Sequence, residues 1–283
     1  MKKRIISAAI GIVLLIGIMW KIDTVIFVIA FSLISAVASL ELNKATGVKN
    51  KLFLAVSFLF AAFVPINTAF PQIMSSDLFL IIIALYVFVL FLIMIKWHET
   101  IRFENIGGAI YGSIVIPYCF SLIIRIGNAG TYFDDNFTKQ EGLYLAVFTF
   151  MCCWLTDTFA YFVGRKFGRH KLCPKISPKK TVEGAVGGFV LSVVFNVLVY
   201  FLVDKLMTPL NNIPLLFIII SSLILAIISM FGDLSASIIK RNYGVKDFGN
   251  IMPGHGGVLD RFDSCTFVFP ALYLGLIIVN SLK

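Results

Sequence analysis

Long apolar stretches recur from one end of this chain to the other, each close to the roughly 20 residues that an α-helix needs to cross the hydrocarbon core of a bilayer. They lie near residues 5–20, 23–40, 52–70, 77–95, 107–127, 143–163, 182–203, 213–231 and 264–280, which makes nine expected spans. With 59% hydrophobic and 14% charged residues among 283, little remains from which to build a water-soluble domain. Backbone amides inside lipid have no water to bond, so a spanning segment must be a helix or part of a closed barrel. These stretches lack the alternation of barrel strands. The expected fold class is all-α: a polytopic integral membrane protein, read as one membrane domain over residues 1–283, without repeats or linkers.

Charge sets the expected orientation. Lys2, Lys3 and Arg4 precede the first stretch as in a secretory signal, but Met19-Trp20-Lys21-Ile22-Asp23 offers no small-residue cleavage site, so a retained helix is expected. A cytoplasmic N-terminus puts 19 of the 24 Lys and Arg inside and leaves Lys21, Arg125, Lys139, Lys205 and Lys283 outside. That bias favours N-inside, in the cell membrane, with the polar motifs facing the cytoplasm. The net charge of +9 is then mostly the ordinary excess of inner loops, with Lys44, Lys49 and Lys51 at anionic headgroups. The outer connection from Asn128 to Glu141, with Asp134, Asp135 and Asn136, reads as a solvated turn. The five cysteines show no C-x-x-C spacing and read as small apolar residues.

Against this background the polar residues of the second half stand out. The first five spans, to residue 127, are nearly free of interior charge and read as scaffold; residues 143–283 carry the chemistry. Asp233, Ser237, Lys240 and Arg241 follow at helical spacing and present a carboxylate, a hydroxyl and two cations on one face. An amphipathic helix whose charges only pair with one another is the structural alternative. Gly244, Gly249, Pro253, Gly254, Gly256 and Gly257 then punctuate a loop whose backbone amides could cradle phosphate oxygens, with Lys246 and His255 beside them. Any re-entrant turn needs glycines too, and a loop histidine is as often a structural hydrogen-bonder. Asp260 and Asp263, three residues apart, are expected to share a helix face. With Asp233 they could bind a hard cation such as Mg²⁺ through oxygen, unless Arg261 neutralises them. Neither a Cys pair nor a His pair lies there, which argues against zinc.

A second block lies upstream. Asp157 falls inside an expected span, where a carboxylate is expensive and therefore a functional candidate, with Tyr161 one turn on. From Gly164 to Thr181 the chain has seven Lys or Arg and no acid. Pro174 and Pro178 break any helix, leaving a basic, hydroxyl-bearing turn with Ser177, Lys180, Thr181 and Glu183, suited to anionic phosphates.

The string Ser237-x-x-Lys240-Arg241-x4-Lys246-Asp247-x-Gly249-x3-Pro253-x-His255-Gly256-Gly257-x-x-Asp260-Arg261-x-Asp263 resembles the signature of the phosphatidate cytidylyltransferases, also called CDP-diacylglycerol synthases. Asp157-x3-Tyr161-x2-Gly164 and Ser177-Pro178-Lys179-Lys180-Thr181-x-Glu183-Gly184 resemble upstream motifs of the same family. Met252, where the signature usually has a branched apolar residue or Phe, is a mild departure. The resemblance implies a nucleotidyltransferase that joins CTP and phosphatidic acid to give CDP-diacylglycerol and pyrophosphate. It implies Mg²⁺ on Asp233 and Asp260, K⁺ as a second cation, and a membrane-embedded homodimer; Asp263 and Asp157 are further candidate metal ligands from the reading of the residues themselves. Lys240, Arg241 and Arg261 are expected beside the reacting phosphates. Ser177, Lys180, Thr181, Glu183, Ser237, Lys246, His255, Gly256 and Gly257 are expected to bind substrate; no nucleic-acid partner is expected.

Two rivals remain at this level. A CTP-dependent lipid kinase of the polyprenol or phytol type would release CDP instead of pyrophosphate. A transporter suits nine spans with intramembrane charge, but paired interrupted helices in matching halves are not evident. A CDP-alcohol phosphotransferase would need a D-x2-D-G-x2-A-R core, which the chain lacks.

Overall fold

A computed structural model describes residues 2–133, 137–252, 254 and 256–281. Each expected span falls on a helix. In chain order these are α1 (Lys2–Met19), α2 (Val25–Ala45), α3 (Lys51–Ala69), α4 (Ser76–Lys96) and α5 (Phe103–Ile110). A π-helical turn, Tyr111–Val115, joins α5 to α6 (Ile116–Gly127), and short α7 (Ala129–Tyr132) precedes α8 (Lys139–Phe167). A hairpin of β1 (Lys171–Cys173) and β2 (Ser177–Thr181) leads to α9 (Val182–Leu206), α10 (Leu215–Asn242), α11 (Leu259–Phe262) and α12 (Cys265–Ser281). Among the described residues, eight helical segments are long and apolar enough to cross a membrane; α1 covers the remaining expected range. The chain is an all-α, multi-pass membrane protein. Its small hairpin lies where the sequence suggested only a turn.

The residues group into two compact units, Met1–Ile124 with Asn242–Phe262, and Arg125–Arg241 with Asp263–Lys283. The glycine-rich loop therefore groups with the N-terminal helices, across the expected boundary at 127.

In the first unit, α3, α4 and α5 pack around Phe53, Phe60, Val64, Leu90 and Ile106. Phe60 stacks on Tyr86 with ring centroids 3.9 Å apart, and the Tyr86 hydroxyl donates to Ser57 Oγ at 3.2 Å, which satisfies the polar tip of a buried ring. At the π turn, Ser39 and Ser113 hydroxyls bond at 2.8 Å, and a Cβ at Gly112 would come within 3.0 Å of Leu42. This close approach seats α2.

In the second unit, α8 and α9 run against each other through small residues. A Cβ on Gly184 would lie 2.7 Å from the Ala160 carbonyl, and one on Gly188 2.7 Å from that of Thr156. Ala160-xxx-Gly164 thus faces Gly184-xxx-Gly188, the small-residue spacing that lets backbones approach in lipid. Helix α10 nears the start of α12 at Gly232, where a Cβ would be 2.8 Å from Ser264 Cα. Phe150 meets Phe269 edge-on at 5.2 Å, and Ser229 Oγ donates to the Cys153 carbonyl at 3.3 Å. All five cysteines are free.

The expected solvated outer turn is only partly that. Asp134, Asp135 and Asn136 lie outside the described residues, whereas Glu141 is fully buried. It completes a capping box with Thr138 and accepts from the Asn212 backbone N–H at 2.8 Å.

Candidate active site

The second unit gathers its polar residues around one ammonium. The hairpin that carries Lys180 pairs Lys171 with Thr181 and Cys173 with Ser177 in antiparallel register. Its entry is pinned by Glu183, which accepts from Arg169 N at 3.0 Å and His170 N at 3.2 Å and meets His170 Nδ1 at 2.6 Å. Thr181 Oγ1 accepts from Gly184 N at 3.1 Å and so caps α9. Two residues expected to touch substrate therefore hold the hairpin against α9.

Lys180 pairs with Asp233 of α10, and its Nζ lies 3.8 Å from Asp157 Oδ1 of α8. Burial alone would pull the Lys180 ammonium down in pKa, but Asp233, Asp157 and Asp263 together hold it above the ordinary lysine value. Lys240, about two turns beyond Asp233 on α10, sets its Nζ 3.8 Å from Asp263 Oδ2; both side chains are only 10% exposed. Three carboxylates and two ammonium groups thus come from a helix, a strand, a second helix and the segment before α12.

Such a set suits a hard cation in kind, because its donors are all carboxylate oxygens without sulfur or imidazole. Among the described residues no three acidic, Cys or His groups already form a ligand shell. The Lys180 ammonium is what the carboxylates surround.

In the first unit the signature loop folds on two carboxylates. Asp260 Oδ2 accepts from Phe248 N at 2.8 Å and Gly257 N at 2.9 Å, which closes the loop on itself. Gly256 has φ +83, and a Cβ there would sit 2.9 Å from Asp260 Oδ2, so both its backbone and its space demand glycine. Met252 N donates to the Gly256 carbonyl at 2.9 Å. A cleft of about 380 Å³, within the usual size of ligand sites, is lined by Lys246, Arg261, Gly249 and Gly256. Backbone amides and two cations on a cleft can take phosphate oxygens.

The structure corrects one local expectation. Asp260 and Asp263 do not share a helix face: α11 ends at Phe262 and α12 begins at Cys265. Asp263 sits in the break, where its Oδ1 accepts from Ser264 N at 2.8 Å. Asp233 and Asp260 belong to different units. Ser237 is buried on α10, Ser177 half-buried on β2, and Arg241 exposed at the end of α10. His255 and Pro253 lie outside the described residues.

One residue was missed. Glu41 on α2 is 4% exposed, and its carboxylate accepts from Val258 N at 3.0 Å and Leu259 N at 2.8 Å. The first spans are therefore not charge-free scaffold. A hint was present: Ser32, Ser35, Ser39 and Asn43 recur at helical spacing in the same stretch, which marks α2 as a packed rather than a lipid-facing helix.

A model of the Cytidylyltransferase family matches residues 2–279. A protein of Bacillus subtilis (strain 168) named phosphatidate cytidylyltransferase is 33% identical over 276 residues, 96% of each chain. One of the same name from Staphylococcus saprophyticus is 35% identical over 280 residues, 98% of this chain and 99% of the other. Another, from Staphylococcus aureus (strain COL), is 32% identical over 277 residues.

Proposed function

Because the chain belongs to the cytidylyltransferase family, we propose that it transfers the cytidylyl group of CTP to phosphatidic acid, forming CDP-diacylglycerol and pyrophosphate. The observation that carries this reading is the near full-length match to relatives named for that activity. The lipid phosphate is already ionised near neutral pH. One of its oxygens attacks the α-phosphorus of CTP, a P–O bond forms, and the bond to the β-phosphate breaks as pyrophosphate leaves. No general base or protein nucleophile is needed. The obstacle is repulsion between two polyanions, so cations and positioning do the catalytic work.

We assign that work as follows. Lys246, Arg261 and the Gly256 backbone take triphosphate oxygens at the cleft of the signature loop, whereas the Gly257 N–H, already given to Asp260, holds the loop closed. Lys240, Arg241 and Lys180 neutralise phosphate charge, and Ser237 on α10 and Ser177 on β2 supply hydroxyls on the same elements. Bound Mg²⁺ would supply further neutralisation of phosphate charge, with Asp233, Asp157 and Asp263 as its oxygen donors. The resemblance also implies Asp260 as a metal ligand and K⁺ as a second cation. The Lys180 ammonium pairs with Asp233 and stands 3.8 Å from Asp157, so it already neutralises part of that donor set. The motif-bearing segments face the cytoplasm, where CTP is made, and the working particle is a homodimer.

The test is a purified-protein assay with labelled CTP and phosphatidic acid, with and without chelator. Labelled CDP-diacylglycerol and pyrophosphate should form, and turnover should vanish with EDTA and return with Mg²⁺. Release of CDP would point to the lipid kinase, and turnover indifferent to chelator would remove the metal. The mass of the same detergent particle, expected at twice one chain, checks the dimer.

A further inference from the structure

We propose that Glu41 is the positioning residue of the signature loop. A carboxylate in an apolar helix is retained only with committed partners, because leaving it unpaired in that surrounding is costly. Glu41 has two: its Oε1 takes the Val258 amide and its Oε2 the Leu259 amide, a two-pronged grip between residues 217 and 218 apart in sequence. Those amides directly precede Asp260 and Arg261.

The surroundings are cut to fit this carboxylate. A Cβ added at Gly249 or at Gly257 would run into the Glu41 side chain, so the loop presents bare backbone to it from both sides. Asp260 bonds Gly257 N and Phe248 N from within the loop. The two carboxylates therefore divide the labour: Asp260 closes the loop, and Glu41 fixes where the closed loop stands on α2. The cleft lined by Lys246 and Arg261 includes Gly249, which abuts Glu41, and Gly256, which abuts Asp260. A loop rich in glycine has many accessible conformations, and anchoring it before substrate arrives lowers the ordering entropy of binding.

The inference rests on the loop's phosphate-binding role proposed above, so its test has a part that needs no activity. Amide hydrogen exchange of the full-length protein, without substrate, is compared for wild type, Glu41→Ala, Glu41→Gln and Gly249→Ala. Exchange over residues 248–259 should rise by about tenfold or more in Glu41→Ala, rise less in Glu41→Gln, which keeps one acceptor, and leave residues 171–181 unchanged. In the assay, KM for CTP should rise by about ten- to a hundredfold in Glu41→Ala, with a smaller change in kcat. Partial recovery is expected in Glu41→Gln. Gly249→Ala reaches the same contact from the other side and should resemble Glu41→Ala.

Loop exchange and KM at wild-type values in any folded variant of Glu41 would overturn the proposal. So would failure of all three variants to fold, which would make Glu41 a determinant of the fold as a whole. A wild-type protein that turns over no CTP, yet shows the exchange pattern, would overturn the activity and leave the anchoring intact.

Discussion

Lys180 sits under two opposing influences, and the outcome decides what it can do. Burial disfavours its charge, but Asp233, Asp157 and Asp263 outweigh that and raise its pKa. A lysine raised on folding contributes stability that is fully present below its unfolded value of about 10.4 and is lost only as pH climbs through the higher folded value. Between about pH 6 and about pH 9, Lys180 therefore stays cationic. Lys180→Met should lower kcat/KM by about tenfold or more, by the same factor throughout that range. A deficit that varies with pH would mean another group titrates. Asp233→Asn keeps shape but removes the charge that pairs with Lys180, and turnover should fall by at least about a hundredfold with an unchanged gel-filtration profile. Near-normal turnover would remove Asp233 from the site. The spacing of Asp233 and Lys240 on one helix was legible in the sequence, because helical geometry is local. The approach of Lys240 to Asp263 was not, since it depends on how α10 meets α12.

Elements hold these side chains through small residues. Where α8 and α9 touch, Ala160, Gly164, Gly184 and Gly188 let the backbones come together, and this contact carries Asp157 alongside the hairpin that bears Lys180. Apolar attraction adds little between helices in lipid, so packing of this kind does much of the holding. Gly188→Leu would drive a side chain into the Thr156 carbonyl and Ala160, overpacking that costs about 1–3 kcal/mol or more. A lowered melting temperature together with lost activity is expected, whereas Val190→Leu on the exposed side of α9 should leave both unchanged. Equal effects of the two would mean that the α8–α9 contact is not special. The hairpin itself was only partly readable. Pro174 and Pro178 excluded a helix, but the strand register needed Glu183 to fasten Arg169 and His170, a contact 13 and 14 residues away in sequence.

At the scale of the whole molecule, charge asymmetry remains the guide to sidedness. The basic hairpin should be reachable from the cytoplasm and Lys139 from the opposite side. Single cysteines at Lys175 and Lys139, in a background with the native cysteines replaced, should be labelled by an impermeant reagent in inside-out and right-side-out vesicles respectively. The reverse pattern would invert the topology. The N-terminal helices also gain a role. Residues 242–262 group with them, so the unit that bears Glu41 also bears the cleft lined by Lys246 and Arg261.

The fold class and the inventory of polar residues followed from sequence by itself. Apolar length, backbone hydrogen bonding and the lack of alternation leave the helix as the spanning element, and Asp157 and Asp233 stand out in it by their rarity, whereas the buried Glu41 did not. Partnership was decided in three dimensions. Which carboxylate faces Lys180, why Asp263 stands in a break between two short-range helices, and why Glu41 grips Val258 and Leu259 all depend on contacts between distant segments. Those contacts are set by where glycine and other small residues let backbones meet, and spacing along one helix carries no information about them.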